Sequence, residues 1–281
     1  MQPFLKWAGG KRQLIAQIAP FVPELSSCTY FEPFLGAGAM LFHFQPPNAI
    51  VNDINSELIT VYKVVQSKKL FRQLITELES HKSKHECGGK AYFYEIRAWD
   101  KAADYHRRSP VQKAARFIYL NKTCFNGLYR VNSKGNFNVP FGRYKKPEIV
   151  NKEALTEAHA YLRQSDIKLL NKSFEKAVAD AKQGDFIYFD PPYDPLNKTS
   201  SFTSYAPAGF GEEEQVLLRD VYQELNARGC KVLLSNSDTP LIRDLYQEFK
   251  IVTVRARRWI NAKAEGRGKL NEVLVVGDYY G

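Results

Sequence analysis

The stretch Asp185-Phe186-Ile187-Tyr188-Phe189-Asp190-Pro191-Pro192-Tyr193 carries an apolar run into an abrupt stop. Four consecutive apolar residues, Phe186 to Phe189, fit a strand covered on both faces, the pattern of a parallel sheet in an α/β fold. Neither following proline can donate a ladder hydrogen bond, and each fixes its own φ. The strand therefore ends at Asp190, and a stiff turn presents Asp190 and Tyr193 at the sheet edge where open α/β sheets bind ligands. A carboxylate, a constrained carbonyl at Pro191 and an aromatic face suit a planar amine. The two oxygens accept the N–H bonds of an exocyclic NH2 while Tyr193 stacks on the ring. The same residues also fit an ordinary strand exit with a surface aspartate, and the remainder of the chain must discriminate.

The chain has 281 residues, 44% hydrophobic and 25% charged. That is enough for one large core or two small ones, and it excludes a disordered or fibrous protein. No apolar stretch approaches the roughly 18 residues of a membrane helix. The start, Met1-Gln2-Pro3-Phe4-Leu5-Lys6-Trp7, lacks the apolar centre of a signal peptide. Cys28, Cys87, Cys124 and Cys230 stand apart with no C-x-x-C pair, which favours reduced thiols in a reducing compartment. An intracellular protein with no membrane contact is expected. His81, His85 and Cys87 form a metal-like grouping without a fourth ligand, inside a charged segment. It reads as a solvated helix end, and no metal is assigned.

The net charge of +10 is unevenly spread. Residues 57–147 hold 19 Lys and Arg against 7 Asp and Glu, leaving 21 against 23 elsewhere. Between Tyr105 and Pro147 there are ten basic residues and no acid, interleaved with Phe117, Tyr119, Phe125, Tyr129, Phe137, Phe141 and Tyr144. A solvated charged face usually mixes signs, so this run points to phosphate backbone and bases.

In chain order, Phe4-Leu5-Lys6-Trp7-Ala8-Gly9-Gly10-Lys11 leads through a glycine turn into a helix over 11–20. The spacing is not that of a P-loop. Lys11 either holds a ligand carboxylate or merely starts the helix. Thr29 to Phe42 reads as strand, glycine turn and apolar helix, with Gly36-Ala37-Gly38 lacking the third glycine of a dinucleotide site. A second strand, Ala49-Ile50-Val51-Asn52, ends at Asp53, placed to accept both hydroxyls of a ribose. A nucleoside cofactor without pyrophosphate follows, and S-adenosylmethionine fits. Helical spacing then runs through Glu57–Gln66, Lys69–Ser80, Ala91–Trp99 and Pro110–Leu120. Two alternating runs around Asn132-Ser133-Lys134-Gly135-Asn136 read as a β-hairpin fit to lie on duplex DNA. Thereafter the α/β rhythm resumes: helix Lys152–Arg163, strand Ile167–Leu170, helix Phe174–Ala181 and the Asp190 strand. A lid-like loop, Asp194 to Gly211, leads to helix Glu212–Arg228, strand Lys231–Ser235 and helix Pro240–Phe249. The last strands, Val252–Trp259 and Asn271–Val276, are joined by a basic loop from Asn261 to Lys269.

Six of these motifs, in order, carry a resemblance: Phe4 to Lys11, Glu32-Pro33-Phe34-Leu35-Gly36-Ala37-Gly38, Asn52-Asp53-Ile54-Asn55, Phe125-Asn126-Gly127-Leu128-Tyr129-Arg130, Phe137 to Tyr144, and Asp190-Pro191-Pro192-Tyr193. Together they resemble the Dam-type DNA adenine-N6 methyltransferases, the D12 class in its alpha order of cofactor motif, recognition domain and Asp-Pro-Pro-Tyr. The resemblance implies a seven-stranded Rossmann-like S-adenosylmethionine-dependent sheet with an inserted helical domain plus β-hairpin. The core would comprise 1–56 and 145–281, with target recognition in 57–144. It further implies a cytoplasmic, prokaryotic or phage-encoded enzyme, monomeric in solution, of the kind found in restriction–modification.

Carried over by position, Trp7, Lys11, Phe34, Gly36, Gly38, Asp53, Phe174 and Asp190 match cofactor positions, with Phe174 on the cofactor adenine. Asp190, Pro191, Pro192 and Tyr193 match the catalytic motif. Lys6, Phe125, Asn126, Leu128, Arg130, Asn132, Asn138, Pro140, Arg143 and Tyr144 match DNA-contacting positions, with Arg130 reading a guanine edge. Phe125 stands where the family often has a tyrosine that wedges into the opened stack; a phenyl ring still stacks but loses the hydroxyl. The implied reaction is methyl transfer to adenine N6 in duplex DNA by base flipping, usually within GATC. A cytosine-N4 or RNA adenine methyltransferase would share the amine chemistry, and a DNA-binding module with an idle cofactor fold is the rival from another class.

Overall fold

Phe186, Ile187, Tyr188 and Phe189 are all fully buried, as a strand covered on both faces demands. The computed structural model describes residues 1–9, 11–195, 210–257 and 269–280. Its strands are β1 Tyr30–Glu32, β2 Asn48–Asn52, β3 Asp166–Leu170, β4 Phe186–Phe189, β5 Lys231–Ser237, β6 Lys250–Arg257 and β7 Lys269–Val276. They form one seven-stranded sheet in the order β3-β2-β1-β4-β5-β7-β6. β1 to β5 pair in parallel, whereas β7 runs antiparallel to both β5 and β6. The chain winds outward from β1 through β2 to β3, then restarts at β4 on the other side of β1. The switch point, where such sheets open a crevice, lies between the ends of β1 and β4.

The helices are α1 Ile15–Ile18, α2 Ala39–Phe44, α3 Ser56–Gln66, α4 Lys68–Arg97, α5 Pro110–Thr123, α6 Lys152–Gln164, α7 Phe174–Ala177, α8 Glu212–Ala227 and α9 Pro240–Leu245. Strand alternation divides the core. Tyr30, Phe186, Tyr188 and Leu233 face one side with α2, α3 and α6. Phe31, Ile187, Phe189 and Leu234 face the other with Phe174, Leu218, Tyr222 and Ile242. α3 starts where the Asn55 side chain accepts from Leu58 N, and α5 starts at a Ser109–Gln112 capping box with Pro110 in its first turn.

Several sequence expectations need correction. The helix expected over 11–20 is a 3₁₀ turn, Lys11–Gln13, then α1, then a second 3₁₀ turn, Ala19–Phe21. The helices expected over 69–80 and 91–99 are both present and lie within α4, on either side of a break where Gly89 takes φ +48° and ψ −121°. The kink turns the supposed solvated end inward. His81 Nδ1 pairs with the Tyr92 hydroxyl at 2.6 Å and His85 Nδ1 with that of Tyr119 at 2.8 Å. Burial lowers the His81 pKa to about 4, so the ring is neutral. No His, Cys, Asp and Glu grouping able to hold a metal occurs among the described residues. The hairpin reduces to two isolated antiparallel bridges, Val131 with Phe137 and Cys124 with Phe141. Its tip is shaped by Asn132, whose Oδ1 accepts from the backbone N–H groups of Lys134 and Asn136. The lid-like loop and the basic loop lie outside the described residues except at their ends.

The basic run is also less superficial than its sequence suggests. Arg116 and Lys122 are buried, as are Phe117, Tyr119 and Phe137. These aromatics are core, and Phe125 is the large ring that stays exposed, at 50%. Arg116 instead ties the segment together. Its guanidinium donates to the carbonyls of Ile96 and Arg97 and pairs with Asp100 Oδ2 at 2.8 Å. Asp100 in turn accepts from Phe137 N at 2.7 Å, and its carbonyl accepts from Asn136 Nδ2. An arginine thus holds the tip of the hairpin-like excursion from inside. Removing one member of a buried pair strands the other charge, so Asp100→Ala should lower unfolding free energy by about 3 kcal/mol. Urea denaturation checks this, and a loss below about 1 kcal/mol would show the clasp to be dispensable.

Candidate active site

Asp190 closes β4 beside a buried ammonium. Lys11, only 3% exposed, donates to Asp190 Oδ1 and to the Gly9 carbonyl, each at 2.9 Å. Lys11 Nζ also lies 4.4 Å from the Tyr193 ring centroid and 3.9 Å from Glu272 Oε2. The Tyr193 hydroxyl donates to Glu272 Oε2 at 2.7 Å. Ser235 Oγ donates to Asp190 Oδ1 at 3.0 Å and is hydrogen-bonded to the Tyr188 hydroxyl at 2.9 Å. The described donors to Asp190 thus converge on Oδ1, leaving Oδ2 with no described donor. Burial raises the Asp190 pKa above the ordinary carboxylate value, and Lys11 opposes that shift. The proline turn is fixed from behind: Gln215 Nε2 donates to the Pro192 carbonyl at 3.1 Å, and Asn236 Nδ2 donates to Gln215 Oε1. The Pro191 carbonyl has no described donor.

Across the switch point, the glycine turn follows β1. Gly36 and Gly38 have φ of +49° and +69°, and a Cβ at Gly36 would lie 2.9 Å from Trp7 Cδ1. Trp7 therefore packs on that turn, stacked as well on Phe117 and Tyr129. Asp53, just past β2, accepts from Gly36 N and Asn55 N, each at 2.9 Å, one on each oxygen. These bonds fix its carboxylate at the turn, while burial still raises its pKa to about 6. The Phe34 and Phe174 rings pack at a tilt, centroids 5.4 Å apart, and Ile54 next to Asp53 is 57% exposed, unusual for so apolar a residue.

The positions that the resemblance matches to DNA contacts form a second group. Asn121 clips two segments together, accepting from Lys6 N and donating to the carbonyls of Lys6 and Gly127. Lys6 Nζ lies 4.3 Å from the Tyr144 ring centroid. Phe125, Asn126, Arg130, Pro140 and Arg143 are exposed, and Leu128, Asn132, Asn138 and Tyr144 half-buried. Asn138 Oδ1 accepts from Arg130 Nε at 2.7 Å and so aims the guanidinium. Asn132 spends its carbonyl oxygen on the turn. Trp7 and Lys6 are chain neighbours, so the N-terminal segment touches both groups.

Sequence reasoning missed Glu272, Ser235, Asn121 and Ile54. Glu272 does carry a signal, an acid opening the apolar run Val273 to Val276, but its partners are distant in sequence. Glu32, quoted with the glycine turn, proves to be buried: its Oε2 accepts from the Tyr30 hydroxyl and from Leu41 N. Burial raises its pKa from 4.5 to about 8. The folded state thus holds the proton more tightly than the unfolded chain, so stability falls with rising pH between those values, by at most about 1.4 kcal/mol per unit. Glu32→Gln, which does not titrate, should gain on wild type between about pH 5 and pH 8 in urea denaturation. A gap that stays constant with pH would show Glu32 to be charged in the fold.

The model of the D12 class N6 adenine-specific DNA methyltransferase family matches residues 7–260. Type II methyltransferase M1.LlaDCHI of Lactococcus lactis subsp. cremoris is 46% identical over 275 residues, covering 98% of this chain and 95% of that protein. Type II methyltransferase M.MjaIII of Methanocaldococcus jannaschii is 41% identical over 288 residues, covering 98% and 99%. The DNA adenine methylase of Escherichia coli is 36% identical over 274 residues, covering 97% and 94%. With its switch-point carboxylate, its glycine turn and a match along almost its whole length, the chain belongs to the D12 class N6 adenine-specific DNA methyltransferases.

Proposed function

We propose that the chain moves the methyl group of S-adenosylmethionine to N6 of an adenine turned out of duplex DNA, within GATC. The observation that carries this reading is the meeting of Asp190, Tyr193 and Lys11 at the switch point. Segments 1–56 and 145–281 form the transferring core in this reading, and 57–144 the recognition unit, whose first helix α3 is packed into the core.

The residues present fit the cofactor. Asp53 offers remaining lone pairs to a ribose, Ile54 and Phe174 offer apolar surface to an adenine, and Asp190 and Glu272 outnumber Lys11 in charge, which suits a sulfonium. When bound, the cofactor supplies an electrophilic methyl group on a positive sulfur that departs as a neutral thioether. Asp190 Oδ2 and the Pro191 carbonyl accept the two N–H bonds of the adenine amine, drawing its lone pair out of the ring, and Tyr193 stacks on the base. Asp190 is placed to receive the proton the methylated nitrogen gives up. Orientation of this kind supplies about 7–11 kcal/mol in favourable cases.

On the DNA side, Lys6, Arg130 and Arg143 supply positive charge and Phe125 an exposed ring to fill the gap left by the flipped base, which costs a few kcal/mol to extrude. Arg130, aimed by Asn138, is the guanine reader. GATC itself rests on the resemblance of these positions to the Dam-type enzymes.

Expression in a host without adenine methylation, followed by single-molecule sequencing for N6-methyladenine, tests the whole reading. GATC should be methylated throughout, and Asp190→Ala should abolish the mark. Methylation at another motif would remove the recognition assignments, and an active Asp190→Ala variant would remove the catalytic ones. A second expectation concerns Asp53, whose ionised form accepts the ribose. Cofactor affinity measured by calorimetry should fall as pH drops through about 6, approaching tenfold per unit. Asp53→Asn should bind weakly without that slope; a slope that persists would assign it to another group.

A further inference from the structure

Glu272 belongs to none of the motifs that carry the family resemblance. It lies on β7, opposite Ser237 of β5 and Val254 of β6, and the next four residues are wholly buried and apolar. A carboxylate in such a strand is costly unless partnered. Its described partners are both in the proposed amine site: the Tyr193 hydroxyl at 2.7 Å and Lys11 Nζ at 3.9 Å. Lys11 has three N–H donors. Gly9 and Asp190 take two, so the third has Glu272 and the Tyr193 face within reach.

We propose that Glu272 is a positioning residue for methyl transfer, fixing the Tyr193 ring through its hydroxyl and sharing Lys11 so that the ammonium does not wholly cancel the carboxylate charge facing the amine. The inference rests on the reading of Asp190 and Tyr193 as the amine-binding pair. Two carboxylates around one ammonium leave a surplus negative charge, the complement of a sulfonium. Without Glu272 the described cluster is neutral, Lys11 serves Asp190 alone, and the ring loses the bond that fixes its plane.

Single-turnover methylation of a duplex carrying the mapped motif, at saturating enzyme and cofactor, gives a rate constant that does not depend on the fraction of enzyme folded. Glu272→Ala should lower it by about 10- to 100-fold, the cost of a misplaced reacting pair. Tyr193→Phe should lower it less, and the double variant should match Glu272→Ala within about twofold, because the two share one bond. Glu272→Gln keeps an acceptor for the Tyr193 hydroxyl but loses the charge. Lys11, Glu272, Tyr188, Tyr193 and Ser235 face Asp190, with Glu32 also acting on it, and the Glu272 charge raises its pKa. The acid limb of the Glu272→Gln rate profile should therefore move to lower pH. Rates within about twofold of wild type for Glu272→Ala, fully multiplicative effects in the double variant, or a limb that stays or moves up would each overturn the proposal. Asp190→Ala separates the two levels. If it methylates normally, the amine-binding reading falls and this inference with it; if it is inactive while the Glu272 variants behave as wild type, this inference alone fails.

Discussion

One buried ammonium organises the site. Lys11 arrives from the N-terminal turn, Asp190 from the end of β4 and Glu272 from β7. A lysine side chain is rarely this buried without a partner, because desolvating its charge costs far more than packing its stem gains. The ammonium therefore pins three segments that share no local sequence signal. The pin sits at the switch point, where the parallel strands diverge and backbone alone cannot close the sheet edge. Loss of the cation would leave two carboxylates facing each other in a low dielectric, which raises their pKa values until one of them takes a proton.

How much of this was legible follows from whether a feature is local. The strand into Asp190, the glycine turn at Gly36 and the acid at Asp53 are each specified within a few residues, and the structure puts all three around the switch point. Features set by long-range packing were misread. His81 and His85 lie in a charged segment, yet the Gly89 kink brings Tyr92 close in the chain and α5 brings Tyr119, so the imidazoles are buried. The acid-free basic run concealed Arg116 and Lys122 in the interior, because sequence shows charge but not which side of a helix faces α4. Glu272 was invisible for the complementary reason: a single acid in an apolar strand means little until the register places it beside Tyr193.

Two buried polar clasps tie the excursion from Phe125 to Tyr144 to the rest of the chain. Asn121, on the apolar helix α5, ties the Lys6 backbone to the turn at Gly127. Arg116, one turn and a half earlier on the same helix, reaches Asp100 and through it Asn136 and Phe137, while its other face lies 3.6 Å from Glu57 at the start of α3. Both clasps satisfy backbone groups as well as side chains. They define the excursion from Phe125 to Tyr144 without the ladder of a regular hairpin, and this explains why alternation in that stretch overstated its strand character.

Three acids at the strand ends, Glu32, Asp53 and Asp190, all have their pKa values raised by burial. Folding without a ligand must bear that cost, which hydrogen bonds from Tyr30, Leu41, Gly36, Asn55, Lys11 and Ser235 offset only in part. A fold selected for stability alone would replace such groups with apolar residues of similar size. Their gathering on the strands that flank the switch point is a cost to stability that the proposed cofactor and amine sites account for. Because the donors are backbone amides and side chains already fixed in place, the charges need little rearrangement on binding, which is the preorganisation that the proposed transfer to an amine requires.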